Sequence, residues 1–185
     1  MTFNKKFVFI GPESSGKSTI CIRLSNYLNC TYIPEICRSM AEIKLDKNND
    51  LINFNFNKED FISMVYIQNI LEYSLDNKNN ILILDNDSFS LGIWCERYLG
   101  KYNEEIYNIY TNSEYLNNTD KIYILLKHNV PFIQDGYRDG EHIRHWMFER
   151  FKYELINKNM NYYIIESSDY EERYKQCLDI ILSNI

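Results

Sequence analysis

Long apolar runs are missing from this 185-residue chain: the longest, Ile81–Leu84 and Ile122–Leu126, fall far short of the roughly 20 residues a membrane span requires. A transmembrane helix is therefore excluded. Lys5 and Lys6 precede only Phe7–Ile10 before Gly11-Pro12, an apolar stretch shorter than the roughly 7–15 residues of a secretory signal. Cytoplasmic residence is the expectation. Cysteine is sparse and unpatterned: Cys21, Cys30, Cys37, Cys95 and Cys177 form an odd set without a C-x-x-C pair. That set reads as reduced thiols, with neither disulfide nor structural zinc. Positive charge is short as well. Twenty Lys and Arg face 26 Asp and Glu, a net charge of −6, so the attraction that drives general nucleic-acid binding is lacking. Repeats, Pro- or Ser-rich linkers and breaks in composition are likewise absent. Residues 1–185 are expected to form a single domain, for which the length suffices.

What the chain does have is ordinary globular composition, 45% hydrophobic and 25% charged, enough to build a core. Short apolar runs at Phe7–Ile10, Thr31–Ile33, Ile81–Leu84, Ile122–Leu126 and Tyr162–Ile165 read as strands. Runs that are apolar throughout suit a sheet covered on both faces. Between them, apolar residues recur at helical spacing: Ile20, Leu24, Tyr27 and Leu28; Phe61, Met64, Val65, Leu71 and Leu75; Met147, Phe148, Phe151 and Leu155; Tyr170, Tyr174, Cys177, Leu178 and Ile181. Each set predicts an amphipathic helix. The expected fold is α/β: a five-stranded parallel sheet with helices on both faces, in three layers. Lys44–Asn57 reads as a bland loop, although the alternation in Asn53-Phe54-Asn55-Phe56-Asn57 also allows a short strand or a loop that dips aromatic rings into a site.

Directly after the first strand stands Gly11-Pro12-Glu13-Ser14-Ser15-Gly16-Lys17-Ser18-Thr19, which satisfies G-x-x-x-x-G-K-[ST] between a strand and a helix. Glycines at both ends let the backbone curl into a nest of N–H groups around phosphate oxygens, and the following helix N-terminus adds to the field. Lys17 would reach the β and γ phosphates of ATP, and the Ser18 hydroxyl would be a Mg²⁺ ligand. The motif names a nucleotide site, not a reaction.

In a parallel α/β sheet the ligand crevice lies beyond the carboxyl ends of the strands. After the second strand, Glu35 and Arg38 in Pro34-Glu35-Ile36-Cys37-Arg38 share a face if a helix begins at Pro34 or Glu35. After the third come Asp85-Asn86-Asp87. Asp85 is placed as an acid that holds Mg²⁺ or its water. Asp87 is either a substrate contact, projecting to the side of Asp85, or the N-cap of a helix from Ser88. Gln68 sits on an apolar helical stripe, where its amide needs a partner in core or ligand. His128, His142 and His145 show no metal-ligand spacing and read as surface residues. Beyond the fourth strand, glycines flank Arg138, and Arg144 follows on the next helix. This segment, 132–145, reads as a lid that closes guanidinium groups on a transferring phosphoryl. Arg150 reads as an ordinary helix charge.

Taken in order, GPESSGKST, YIPEICR, Gln68, LDNDSFS, VPFIQDGYR with Arg144, and IIESSDYEERY resemble the ribosylnicotinamide kinase domain of the NadR family, a branch of the P-loop kinases. The resemblance runs along nearly the whole chain. It departs at Phe132, where the family has Trp, at Gln134, where an acid is expected, and at Asn86, where Thr is expected. It implies transfer of the ATP γ-phosphate, with Mg²⁺, to the ribose 5′-hydroxyl of nicotinamide riboside. It also implies that Ser168 and Tyr170 join residues 11–19 in holding ATP, and that Glu35, Arg38, Gln68, Asp87 and Asp135 meet the nucleoside. The family's adenylyltransferase and DNA-binding parts have no room here, so a stand-alone kinase is expected. The family fold sets the third strand beside the first, which places Asp85 toward Mg²⁺ and Glu35 toward the acceptor hydroxyl as general base. Two rivals stay open: a kinase for another nucleoside or deoxynucleoside, and a regulatory switch that hydrolyses ATP without an acceptor.

Overall fold

Phe7, Val8, Phe9 and Ile10 are all fully buried, which a strand achieves only when both faces of its sheet are covered. The computed structural model describes residues 5–48, 55–76, 81–100, 103–111, 120–134, 138 and 140–185. In it β1 (Lys5–Ile10), β2 (Thr31–Ile33), β3 (Ile81–Asp85), β4 (Asp120–Leu126) and β5 (Tyr162–Ile165) form one sheet in the order β2-β3-β1-β4-β5. Every pairing is parallel, with Val8 opposite both Leu84 and Tyr123. The helices of the described residues are α1 (Lys17–Leu28), α2 (Ile36–Asn48), α3 (Lys58–Asp76), α4 (Ser88–Leu99), α5 (Glu104–Thr111), α6 (Arg144–Asn157) and α7 (Tyr170–Ser183).

Two cores result from the strand alternation. Phe7 and Phe9 point to one face with Ile20 and Leu24 of α1 and Cys177 and Ile181 of α7. Val8 and Ile10 point to the other with Phe61, Met64 and Val65 of α3, Trp94 of α4 and Phe151 of α6. Each such side chain contributes about 1.5–3 kcal/mol by leaving water. Local chemistry sets the helix ends. Asn29 closes α1 in the left-handed conformation at φ 49°, a conformation Asn tolerates. Asp169 opens α7 by accepting the Glu172 N–H at 2.8 Å.

Two sequence expectations need correction. Lys44–Asn48 is helical, because α2 runs on to Asn48, while residues 49–54 lie outside the described residues. Residues 55–57 are irregular, as a loop should be, but Phe56 is buried against Phe61 and Tyr98, so its ring belongs to the core and not to a site. β1 lies between β3 and β4, and the crevice beyond its carboxyl end, where the chain order reverses on its two sides, is where the motifs converge.

Candidate active site

The phosphate loop leaves β1 at Gly11, whose φ of 144° only glycine adopts readily and where a Cβ would stand 2.6 Å from the Leu126 carbonyl of β4. Close approach to β4 thus demands glycine. Gly16, at φ 87°, turns the chain into α1. Between them Ser14 is held in the left-handed region at φ 54°, a conformation that costs a serine on the order of 1 kcal/mol. Lys17 is buried, and its ammonium donates to the Gly11 and Pro12 carbonyls at 2.9 Å each. Its charge therefore lies in the hollow of the loop.

Residues after β4 cover the loop. Ser14 Oγ donates to the Ile133 carbonyl and accepts from the Ile133 N–H, both at 3.0 Å. Arg138 donates to Ser14 Oγ at 3.0 Å and to the Ile133 carbonyl at 2.8 Å. The Gly140 N–H donates to Glu13 Oε2 at 2.9 Å, so the Glu13 side chain ties Gly140 to the phosphate loop. Arg144, 7% exposed, donates to the Val130 carbonyl at 2.9 Å and more distantly to the Ser14 carbonyl at 3.4 Å. Its charge also lies 5.8 Å from the centre of the Phe132 ring. Gln134 donates to the Arg138 carbonyl at 2.6 Å. Asp135 lies outside the described residues. Both expected lid arginines thus reach the phosphate loop. Arg150, by contrast, pairs with Glu96 and Glu154, as an ordinary helix charge does. His128 is only half-exposed, with its ring against His145 and Phe148, which corrects its reading as a surface residue.

Acids gather on the β3 side. Asp85 is 1% exposed. Burial pushes its carboxyl upward, and the Lys17 charge and a Ser18 hydrogen bond pull it back. The Tyr32 hydroxyl donates to its Oδ2 at 3.5 Å, while its buried Oδ1 has no protein donor. A spare hard oxygen beside a serine hydroxyl at a phosphate loop is a donor set that fits Mg²⁺, which fills its shell with water and phosphate oxygens. Glu35, just before α2, accepts the Asn86 amide at 2.8 Å. Burial and then the nearby Asp85 charge push its carboxyl up to about 7, against the pull of Lys17 and Arg38. Glu35, Arg38, Asp85 and Lys17 therefore share one field. Asn86 was missed as a site residue. It adopts φ 69°, which Asn tolerates better than most, and it leaves a buried Oδ1 without a donor.

Asp87 and Gln68 are corrections. Asp87 is fully buried and caps α4: its Oδ1 accepts the Ser90 N–H at 3.1 Å while the Ser90 hydroxyl accepts the Asp87 N–H at 2.9 Å. Its Oδ2 accepts from Lys121 and from the Tyr123 hydroxyl, each at 2.9 Å. With both oxygens occupied, the carboxylate serves the core and not a nucleoside. Gln68 donates to Glu72 at 3.1 Å, and Glu72 in turn pairs with Lys121 at 2.9 Å and lies 3.7 Å from Lys6. Its amide is thereby satisfied within the same buried network. After β5, the Tyr170 ring lies at Gly16, where a Cβ would meet it at 3.7 Å, and Ser168 is exposed nearby in sequence. Thr19 is exposed on the first turn of α1.

Arg173, which stands in the IIESSDYEERY stretch of the resemblance but has no role assigned from sequence, completes the loop's surroundings. Arg173 is fully buried and donates to the carbonyls of Ser15, Lys127 and Ser167 and to Asn129 Oδ1, at 2.5–2.7 Å. The signal was its place on the apolar stripe of α7, four residues before Cys177.

A family model described as an AAA domain (AAA_28) matches residues 6–173. The chain belongs to that family. It is 25% identical over 181 residues to the trifunctional NAD biosynthesis/regulator protein NadR of Escherichia coli (strain K12), covering 97% of this chain and 42% of the relative. The NadR of Salmonella typhimurium is 24% identical over the same length. The chain thus spans less than half the length of these curated relatives. Among solved structures, a NadR protein in complex with NR superposes with a TM-score of 0.73 at 19% identity, covering 98% of this chain and 49% of that one. Deoxyadenosine kinase from M. mycoides superposes with a TM-score of 0.63 at 16% identity, covering 96% and 99%. The fold is that of the P-loop kinases.

Proposed function

We propose that this chain is an ATP-dependent kinase that phosphorylates the ribose 5′-hydroxyl of nicotinamide riboside, yielding nicotinamide mononucleotide and ADP. The observation that carries the reading is the sorting of charge about one loop. Lys17, Arg138 and Arg144 lie on the loop and lid side, and Asp85 with Glu35 lie on the β3 side. Phosphoryl transfer needs just that: cations for the charge on the transferring group, and an acid pair to hold the metal and orient the attacking hydroxyl. The likeness to NadR, which spans nearly all of this chain, favours the pyridinium nucleoside as acceptor.

In this reading the loop residues Gly11, Glu13, Ser14, Ser15, Gly16, Lys17, Ser18 and Thr19 form the phosphate site, with Ser168 and Tyr170 on the adenosine side. Ser18 and Asp85 would hold Mg²⁺, which would supply charge to offset that of the phosphates. Glu35 accepts the 5′-hydroxyl proton, Arg38 keeps its carboxyl ionisable, and Asn86 orients it. Arg138 and Arg144 close on the transferring group and exclude water. The second reading, a deoxynucleoside kinase, is favoured by the deoxyadenosine kinase likeness, which covers 99% of that protein.

A nucleoside panel with labelled ATP and mass spectrometry of the products tests the assignment. Nicotinamide mononucleotide as the efficient product supports it, and efficient phosphorylation of a deoxynucleoside alone replaces it. Turnover of ATP that ignores every acceptor would make the protein a hydrolytic switch.

A further inference from the structure

Arg173 is costly to bury and has no acid to offset that cost. Taking a guanidinium out of water is expensive unless it is paired, yet among the described residues no carboxylate stands against it, in a chain whose acids outnumber its bases. Its partners are three backbone carbonyls and one amide oxygen. Those partners follow three adjacent strands: Ser15 after β1, Lys127 and Asn129 after β4, and Ser167 after β5. The second buried guanidinium, Arg144, repels it.

The two arginines hold consecutive carbonyls of the phosphate loop: Arg144 that of Ser14 at 3.4 Å, and Arg173 that of Ser15 at 2.7 Å. A trans peptide is planar, with its C=O and N–H directed oppositely, and no cis peptide occurs among the described residues. Drawing the Ser15 carbonyl outward therefore aims the Gly16 N–H inward. The Arg144 contact does the same for the Ser15 N–H. We propose that Arg173 is the positioning residue of the phosphate loop. It fixes the peptide plane whose N–H meets a bound phosphate, and it sets an unneutralised positive charge behind that plane.

This inference rests on the loop being a nucleotide-phosphate site, so its test reads binding directly and independently of any acceptor. Calorimetry with ADP and with inorganic tripolyphosphate is run on the full chain and its variants. Arg173→Lys keeps the charge but not the fork, and should weaken both ligands about tenfold. Arg173→Gln loses both and should weaken them about 100-fold, the span of one charge-assisted hydrogen bond. The acceptor KM should stay within about twofold. Asn129 is exposed, and its Oδ1 is one of the four acceptors of Arg173. Asn129→Ala and Asn129→Asp both remove the amide that donates to the Glu166 carbonyl, but only the second neutralises Arg173. It should bind tripolyphosphate at least about threefold more weakly than the alanine variant. Equal affinity in those two variants, or a folded Arg173 variant with wild-type affinity, overturns the proposal. Wild-type protein that binds neither ligand would overturn the nucleotide-site reading itself.

Discussion

Glu35 sits where three influences compete. Burial and the Asp85 charge favour its protonated form, and Lys17 and Arg38 oppose them, leaving its carboxyl ionising at about 7. A general base that titrates near the working pH is well matched to its task. Activity should therefore rise with pH through about 7. Glu35→Gln should lose kcat by about 10²–10⁴-fold, with ATP affinity intact and that pH limb flattened. Stability responds oppositely. Because the folded value lies above the ordinary carboxyl value of 4.5, stability is lost as pH rises from there to about 7. Glu35→Gln should thus raise Tm at pH 8, and a lowered Tm there would show that the ionised carboxylate is stabilising. Asp87 has the contrary character. Its carboxylate caps α4 and pairs with Lys121 inside the core. Asp87→Asn keeps a capping group but leaves a buried cation short of a partner, at a cost of about 3 kcal/mol. Urea unfolding should show that loss with acceptor KM unchanged. A raised KM at unchanged stability would return Asp87 to the acceptor site.

Among the elements, the proposed lid meets the phosphate loop through different kinds of contact at its two arginines. Arg138 is half-buried and bonds to Ser14 Oγ and the Ile133 carbonyl, whereas Arg144 is buried on α6 and bonds to Val130 and Ser14. Arg138→Ala should therefore lower kcat with Tm within about 2 °C of wild type. Arg144→Ala should lower both, and an Arg144→Ala protein of unchanged Tm would mean that its contacts carry little of the fold. The inner strands were legible in the sequence because a doubly covered strand is apolar along its length, as Ile81–Leu84 is. The phosphate loop was legible because its chemistry is local. The tail of α2 was not, since its mixed polarity carries no apolar stripe. Asp87 stayed ambiguous because the partners that settle it, Lys121 and Tyr123, lie 34 and 36 residues away along the chain. Arg173 went unassigned since a charge on an apolar stripe announces burial without naming what it holds.

Across the whole molecule, net charge and local charge run in different directions. The chain carries −6, yet Lys17, Arg138, Arg144 and Arg173 converge on the phosphate loop. The excess of acid therefore lies elsewhere, and part of it, Asp85 and Glu35, fronts the β3 side of the crevice. A phosphate-bearing ligand and a cationic nucleoside would each meet a field of the favourable sign. Charge attraction of this kind acts on encounter and is screened by salt, with a Debye length falling from about 30 Å at 0.01 M to about 10 Å at 0.1 M. At saturating Mg-ATP, kcat/KM for nicotinamide riboside, whose pyridinium is positive, should fall about two- to fivefold between roughly 20 and 300 mM salt. An uncharged nucleoside lacks the long-range pull and should show less than half that change. Measuring both acceptors in one salt series removes effects on folding or on ATP, which they share. If the two fall in parallel, the acids at the β3 end do not draw the acceptor in, and discrimination between nucleosides must come from short-range contacts alone.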